Sequence, residues 1–128
     1  MTTDRYKGFT FDEAALREDV DLDADRRREI LYLEGTAQTA THWEVLGLPW
    51  NAPVDAAKAA YLERVKIFHP DRYAGKRLGS YRARLERVFR RVTEARDVLS
   101  DEGRRAAYAR LSAPADQRAA LEARRLED

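Results

Sequence analysis

Residues 54–100 read VDAAKAAYLERVKIFHPDRYAGKRLGSYRARLERVFRRVTEARDVLS, and the fold is decided here. Ala57, Tyr61, Val65 and Phe68 recur at i, i+4, i+8 and i+11, which predicts a helix over about 54–68. Pro53 stands before it and lacks an N–H that a first helical turn leaves unused. Pro70 ends it, because proline disfavours the α conformation in His69. A loop then runs from His69 to about Gly79, and Ser80 is expected to cap a long helix to Ser100. Its apolar positions Tyr81, Leu85, Val88, Phe89, Val92, Ala95 and Leu99 follow the 3.6-residue period. Two such helices joined by a loop of about ten residues pack antiparallel, stripe against stripe. The arginines on the other faces of the second helix, Arg82, Arg84, Arg87, Arg90 and Arg91, read on their own as a solvated surface.

Shorter elements flank this hairpin. Thr41 to Leu46 suits a short helix that Gly47 and Pro49 break. Before it, Asp23 or Asp25 can cap a helix running to about Glu34, with Ile30, Leu33 and Ala37 on one side and Gly35 as a stop. Residues 1–22 read as mostly flexible, with one short helix capped by Thr10 and closed by Glu13. Downstream, Asp101 caps DEGRRAAYARL, which is expected to lay Ala107, Tyr108 and Leu111 on the hairpin. After Pro114 a final helix is expected, anchored by Leu121 and Leu126.

The composition agrees with an all-α protein. Ala, Leu, Glu, Lys and Arg supply 69 of the 128 residues, and only 26 are Leu, Ile, Val or Phe, so the core is small. The absence of cysteine excludes disulfides, thiolate metal sites and cysteine nucleophiles. No apolar run is long enough to cross a membrane, and Met1 to Arg5 do not open a leader, so the expected location is cytoplasmic and off the membrane. The formal net charge of +1 conceals blocks of −6 over residues 1–57, +8 over 58–110 and −1 over 111–128. An acidic front and a basic middle imply either an acidic partner or a contact between the two.

Conventional chemistry has little to use. The two histidines, His42 and His69, lie 27 residues apart without a metal-ligand spacing, and no phosphate-binding glycine loop is present. No catalytic residue, cofactor or metal is expected, and the chain reads as a binding module rather than an enzyme. The feature that remains is His69-Pro70-Asp71, at the end of one hairpin helix and the start of its loop.

With HWEVLGLP at His42 to Pro49, the His69-Pro70-Asp71 loop, F-x-x-V-x-E-A-x-x-V-L-S-D at Phe89 to Asp101, and R-R-x-x-Y at Arg104 to Tyr108, the chain resembles the J domain of the DnaJ co-chaperone family over about residues 41–111. The resemblance implies a four-helix fold whose helices II and III form the central antiparallel hairpin, here extended by an extra N-terminal helix and a short C-terminal one. It also implies docking on a DnaK-type (heat-shock 70 class) chaperone and stimulation of its ATP hydrolysis. The residues implied to bind are His69, Pro70 and Asp71 in the loop, with Lys58, Tyr61, Arg64, Lys66 and Arg72 on or beside helix II. An exposed Asp71 carboxylate at a proline-stiffened corner suits a bidentate pair with a partner arginine. The charges around it suit salt-sensitive steering.

The chain departs from the family pattern at Leu62 and Glu63, where basic residues are common. Arg64 replaces an apolar core residue, Arg96 an aromatic, and Ala109 an Asp. Three segments follow: an acidic extension over residues 1–40, the J domain over 41–111, and a helical tail over 112–128. The extension is the expected place for client binding. Its 23–34 helix is expected to pack on the J domain through Ile30 and Leu33, and a docked acidic segment could cover helix II and damp activity. A J-domain interaction or scaffolding module of a larger regulatory protein, with little ATPase stimulation, is the alternative function. Nucleic acid is not an expected partner, for no exposed stacking aromatics or groove-reading helix accompany the basic block.

Overall fold

A computed structural model describes residues 6–118 of the chain. In order the helices are α1 (Glu13–Leu16), α2 (Ala24–Thr36), α3 (His42–Leu46), α4 (Val54–Phe68), α5 (Tyr81–Leu99) and α6 (Glu102–Leu111), with a 3₁₀ turn at Pro70–Tyr73. No strand occurs among the described residues, and no helix there is long and apolar enough to cross a membrane. The final helix expected after Pro114 begins at residues 115–118, while Leu121 and Leu126 lie outside the described residues.

α4 and α5 form the antiparallel hairpin at the bounds read from the sequence. Tyr81, Leu85, Val88, Val92, Ala95 and Leu99 of α5 are buried against Ala57 and Phe68 of α4, with Phe89, Tyr61 and Val65 half-buried at the edges. α3 crosses α5, held at its start by a reciprocal capping box between Thr41 and Glu44. The Thr41 N–H donates to the Glu44 carboxylate, holding it below the usual carboxylate range. Gly47 follows at φ 71°, a left-handed stop that suits glycine.

α6 docks with a different face from the one expected. Ala109 is buried and Tyr108 half-buried, but Ala107 is exposed and Leu111 is 79% exposed. Two tertiary bonds set this rotation: Trp50 Nε1 donates to the Ala109 carbonyl at 2.9 Å, and Arg105 donates to Asn51 Oδ1 at 2.8 Å. The inward row is therefore Arg105, Tyr108, Ala109 and Ser112, one helical stripe displaced from the apolar positions alone.

Residues 6–22 contradict the expectation of a flexible segment, while α2 packs on the J domain as its apolar stripe implied. Ala15, Val20 and Leu22 are buried, and Ile30 and Leu31 of α2 are fully or almost fully buried in the core that contains α5. Burying Ile30 alone stabilises by about 1.5–3 kcal/mol. α2 thus packs through Ile30 and Leu31, with Leu33 only partly buried. Arg27 explains how a segment with few apolar residues holds its shape. Its guanidinium donates to the carbonyls of Leu16, Glu18, Val20 and Leu22 at 2.7–3.0 Å, gathering the 16–22 loop around one cation.

Three local expectations in this region are corrected. Asp12, not Thr10, caps α1, accepting from the Ala14 N–H at 3.0 Å, because the helix begins two residues later than the Thr10–Glu13 pattern implies. α2, capped by Asp23, runs through Gly35 to Thr36. Gly35 is instead a place of close approach: a Cβ there would stand 2.5 Å from the Phe9 ring, which stacks with Phe11 and Tyr32. Ser80 makes no side-chain cap for α5. Its hydroxyl turns to Glu18 of the extension instead.

Candidate functional site

The His69-Pro70-Asp71 corner follows from local rules. His69 takes an extended conformation (φ −64°, ψ 130°), as a residue before proline should, and the chain then makes one 3₁₀ turn through Tyr73. Tyr73 is buried and its hydroxyl donates to the Ile67 carbonyl at 2.6 Å, satisfying one of the free carbonyls at the end of α4. Burial pushes the Tyr73 phenol up from its ordinary value, so it stays a donor.

Within the corner the Asp71 N–H donates to His69 Nδ1 at 3.1 Å. Nδ1 therefore acts as an acceptor and the ring proton sits on Nε2. The Asp71 carboxylate lies 3.8 Å from the same nitrogen. Edge-on contact with Phe89, centroids 5.0 Å apart, fixes the imidazole plane. The outcome is a half-exposed His69 and an Asp71 side chain that is 94% exposed.

The remaining residues singled out from the sequence are distributed unevenly. Lys58 is exposed on α4. Lys66 is exposed but lies 3.0 Å from Glu63, an exposed pair worth little energetically that nevertheless neutralises the local charge. Arg64 turns inward and donates to the Val45 carbonyl at 3.2 Å, anchoring α4 to α3 where an apolar residue is usual. Arg72 donates to the Lys66 carbonyl at 3.1 Å, which caps the end of α4. Tyr61 is half-buried under the Arg96 guanidinium, 4.6 Å from the ring centroid, so the cation stacks where the family places an aromatic. Leu62 stands 60% exposed on the same helix.

Among the described residues the extension does not cover this face: its polar contacts run to α5, to residues 77–81 and, through Lys7, to Glu44 of α3, leaving Lys58, Leu62, Glu63 and Lys66 exposed, against the expected masking of helix II. The arginines of α5 are likewise not a uniform solvated surface. Glu34 accepts from Arg84 Nη1 at 2.6 Å and from Arg87 Nε at 2.7 Å. Arg91 donates to the carbonyls of Ala37 and Ala40 at 2.8 and 2.9 Å, and lies 2.8 Å from His42 Nδ1. Only Arg82, Arg87 and Arg90 of the five are exposed, and Arg87 is committed to Glu34. Sequence reading passed over Glu18, Arg27, Glu34 and Tyr73. The opposed charge blocks were the one sign of Glu18 and Glu34, and nothing in the sequence pointed to Arg27.

An all-helical module built on an antiparallel hairpin, with a rigid His-Pro-Asp corner at its turn, is what the geometry defines. The family model described as the DnaJ domain matches residues 41–109, over half of the chain, and the chain belongs to that family. Among curated proteins it is similar to "Chaperone protein DnaJ" of Paramagnetospirillum magneticum, 41% identical over 70 residues that make up 55% of this chain and 17% of that protein. The proteins of the same name from Thermotoga neapolitana and Acidiphilium cryptum are 37% identical over 76 residues and 40% over 70, covering 59% and 55% of this chain and 19% and 17% of theirs. The aligned stretch thus spans under a fifth of each of these relatives. No solved structure gives a significant match.

Proposed function

We propose that this chain is a J-domain co-chaperone, itself no enzyme, acting in the cytoplasm. It docks on a DnaK-type (heat-shock 70 class) chaperone through α4 and the His69-Pro70-Asp71 corner, and stimulates that chaperone's ATP hydrolysis. The observation that carries the reading is the Asp71 carboxylate, almost fully exposed on a backbone that Pro70, Tyr73 and the His69–amide bond hold rigid. A carboxylate so presented pairs with a partner arginine at little ordering cost. Lys58 and Lys66 supply steering charge, and Tyr61 offers the edge of its ring. His69 contributes the Nε2–H as a donor beside the accepting carboxylate.

The test is single-turnover ATP hydrolysis by a DnaK-type chaperone, with wild-type protein and with Asp71→Asn. Stimulation by the wild type and none by a folded variant is the expected result. A second reading, an interaction or scaffolding module with little ATPase stimulation, is favoured by the internal use of Arg64 and Arg72 and by the Glu63–Lys66 pair, which together thin the positive face. Partner capture that survives Asp71→Asn, with no stimulation by the wild type, is its signature.

A further inference from the structure

The far end of the His69–Gly79 loop is held by the N-terminal extension. The Asp21 N–H donates to the Arg77 carbonyl at 2.7 Å, and the Arg77 N–H returns a bond to the Asp21 carboxylate at 2.7 Å. The Arg77 guanidinium lies 3.1 Å from Asp19 and 3.6 Å from Asp21. Two residues beyond Leu78, which is itself buried, the Ser80 N–H donates to Glu18 at 2.6 Å and the Ser80 hydroxyl donates to the other oxygen of that carboxylate. The Tyr81 hydroxyl then donates to the Ala15 carbonyl at 2.7 Å in the core.

The approach is as close as the backbone permits. Gly79 takes φ +51°, and a Cβ there would stand 1.9 Å from a Glu18 carboxylate oxygen and 3.1 Å from Val20 Cγ1. The positive φ favours glycine, and any side chain there would push the Glu18 carboxylate off Ser80. The segment that presses on Gly79 is itself a shaped object, since Arg27 fastens its four carbonyls. The loop's other end is tied to α4 through Tyr73, so few residues are left between two anchors, with Gly75 at φ +80° making the bend.

We propose that residues 15–22 are a brace for the docking loop, and that Glu18 and Asp21 are positioning residues that hold Asp71 ready for the chaperone. The consequence for docking rests on the co-chaperone reading, whereas the brace is a property of the free protein. A loop held at one end alone samples more conformations, and a partner must then order it on binding. The extension therefore raises the affinity of docking without touching the chaperone, the reverse of masking.

The test is amide hydrogen exchange of the full chain in Glu18→Ala/Asp21→Ala, which leaves the buried apolar side chains of the extension in place. The amides of Arg72, Ala74 and Lys76, which close the turns of the loop, are expected to exchange at least about tenfold faster relative to Val92 and Leu99 of α5, since loss of even one of the three charge-assisted bonds to Glu18 and Asp21 implies that much. The pair Glu18→Gln/Asp21→Asn keeps acceptor oxygens and is expected to restore most of that protection. In the ATPase assay the alanine pair raises the concentration for half-maximal stimulation several-fold and preserves the maximum. Unchanged relative exchange at the three loop amides, equal loss in both pairs, or stimulation that increases in the alanine pair would overturn the brace. Faster exchange in a protein whose wild type does not stimulate at all sinks the co-chaperone reading and leaves the brace standing.

Discussion

The two helices of the hairpin, α4 and α5, carry net charges of +1 and +3, and the more basic one is the one that turns its charge inward. α5 spends Arg84, Arg87 and Arg91 inside the molecule, on Glu34, on two carbonyls of the 37–40 segment and on His42. α4 keeps an open outer face with Lys58, Leu62, Glu63 and Lys66, and its loop leaves Asp71 bare. Charge density along a sequence therefore says little about which face meets a partner. What separates the two helices is whether another segment of the same chain reaches the charges first.

The comparison is broken or sharpened by substitutions on each side. Under the proposed function Asp71→Asn is expected to have the largest effect, loss of ATPase stimulation, with stability changed by less than about 0.5 kcal/mol because the side chain is exposed. On the α5 side the largest effect is on folding. Ile30→Ala empties a fully buried site and is expected to cost about 2–4 kcal/mol, read as a shift of the urea midpoint at constant slope. An unshifted midpoint means that the extension does not share the core.

Smaller is Glu34→Gln, which weakens the bonds to Arg84 and Arg87 together. A loss of about 1–2 kcal/mol is expected, falling as salt is added, because Arg87 is half exposed while Glu34 is not. The same measurement on Glu63→Gln is expected to show almost nothing, since that pair is exposed at both ends.

The smallest effect is a pH dependence at the junction of α3, α5 and α6. Burial, and then the Arg91 guanidinium, hold His42 below its usual imidazole value, and its ring stacks on Tyr108 with centroids 4.5 Å apart. The unfolded chain takes up the proton near pH 6.5 while the folded chain resists it, so stability is full above about 6.5 and declines as pH falls toward the folded-state value. Thermal melts from about pH 7.5 to 5 should show this decline, and His42→Gln should flatten it. Glu18 and Glu44, both held below their ordinary range by hydrogen bonds, lose their contribution to stability only at more acid pH.

The bounds of α4, the antiparallel hairpin and the His69-Pro70-Asp71 corner were all legible in residues 54–100. Each is a local matter: a 3.6-residue stripe, a proline that cannot continue a helix, and a residue before it pushed to extended backbone. The rotation of α6, the run of α2 through Gly35 and the work of Ser80 were not legible. Each depends on a distant partner: Ala109 and Arg105 on residues 50–52, Gly35 on Phe9, and Ser80 on Glu18.

Sequence by itself determined an all-helical chain of the DnaJ domain family and the corner that it presents, because periodicity and proline act within a few residues. Tertiary structure alone decided that residues 15–22 join the core, which arginines are consumed and which face of α4 stays open. A guanidinium in a helix has the same local pattern whether it meets water or a carboxylate fifty residues away. Only the packed chain brings Glu34 to Arg84 and Glu18 to Ser80.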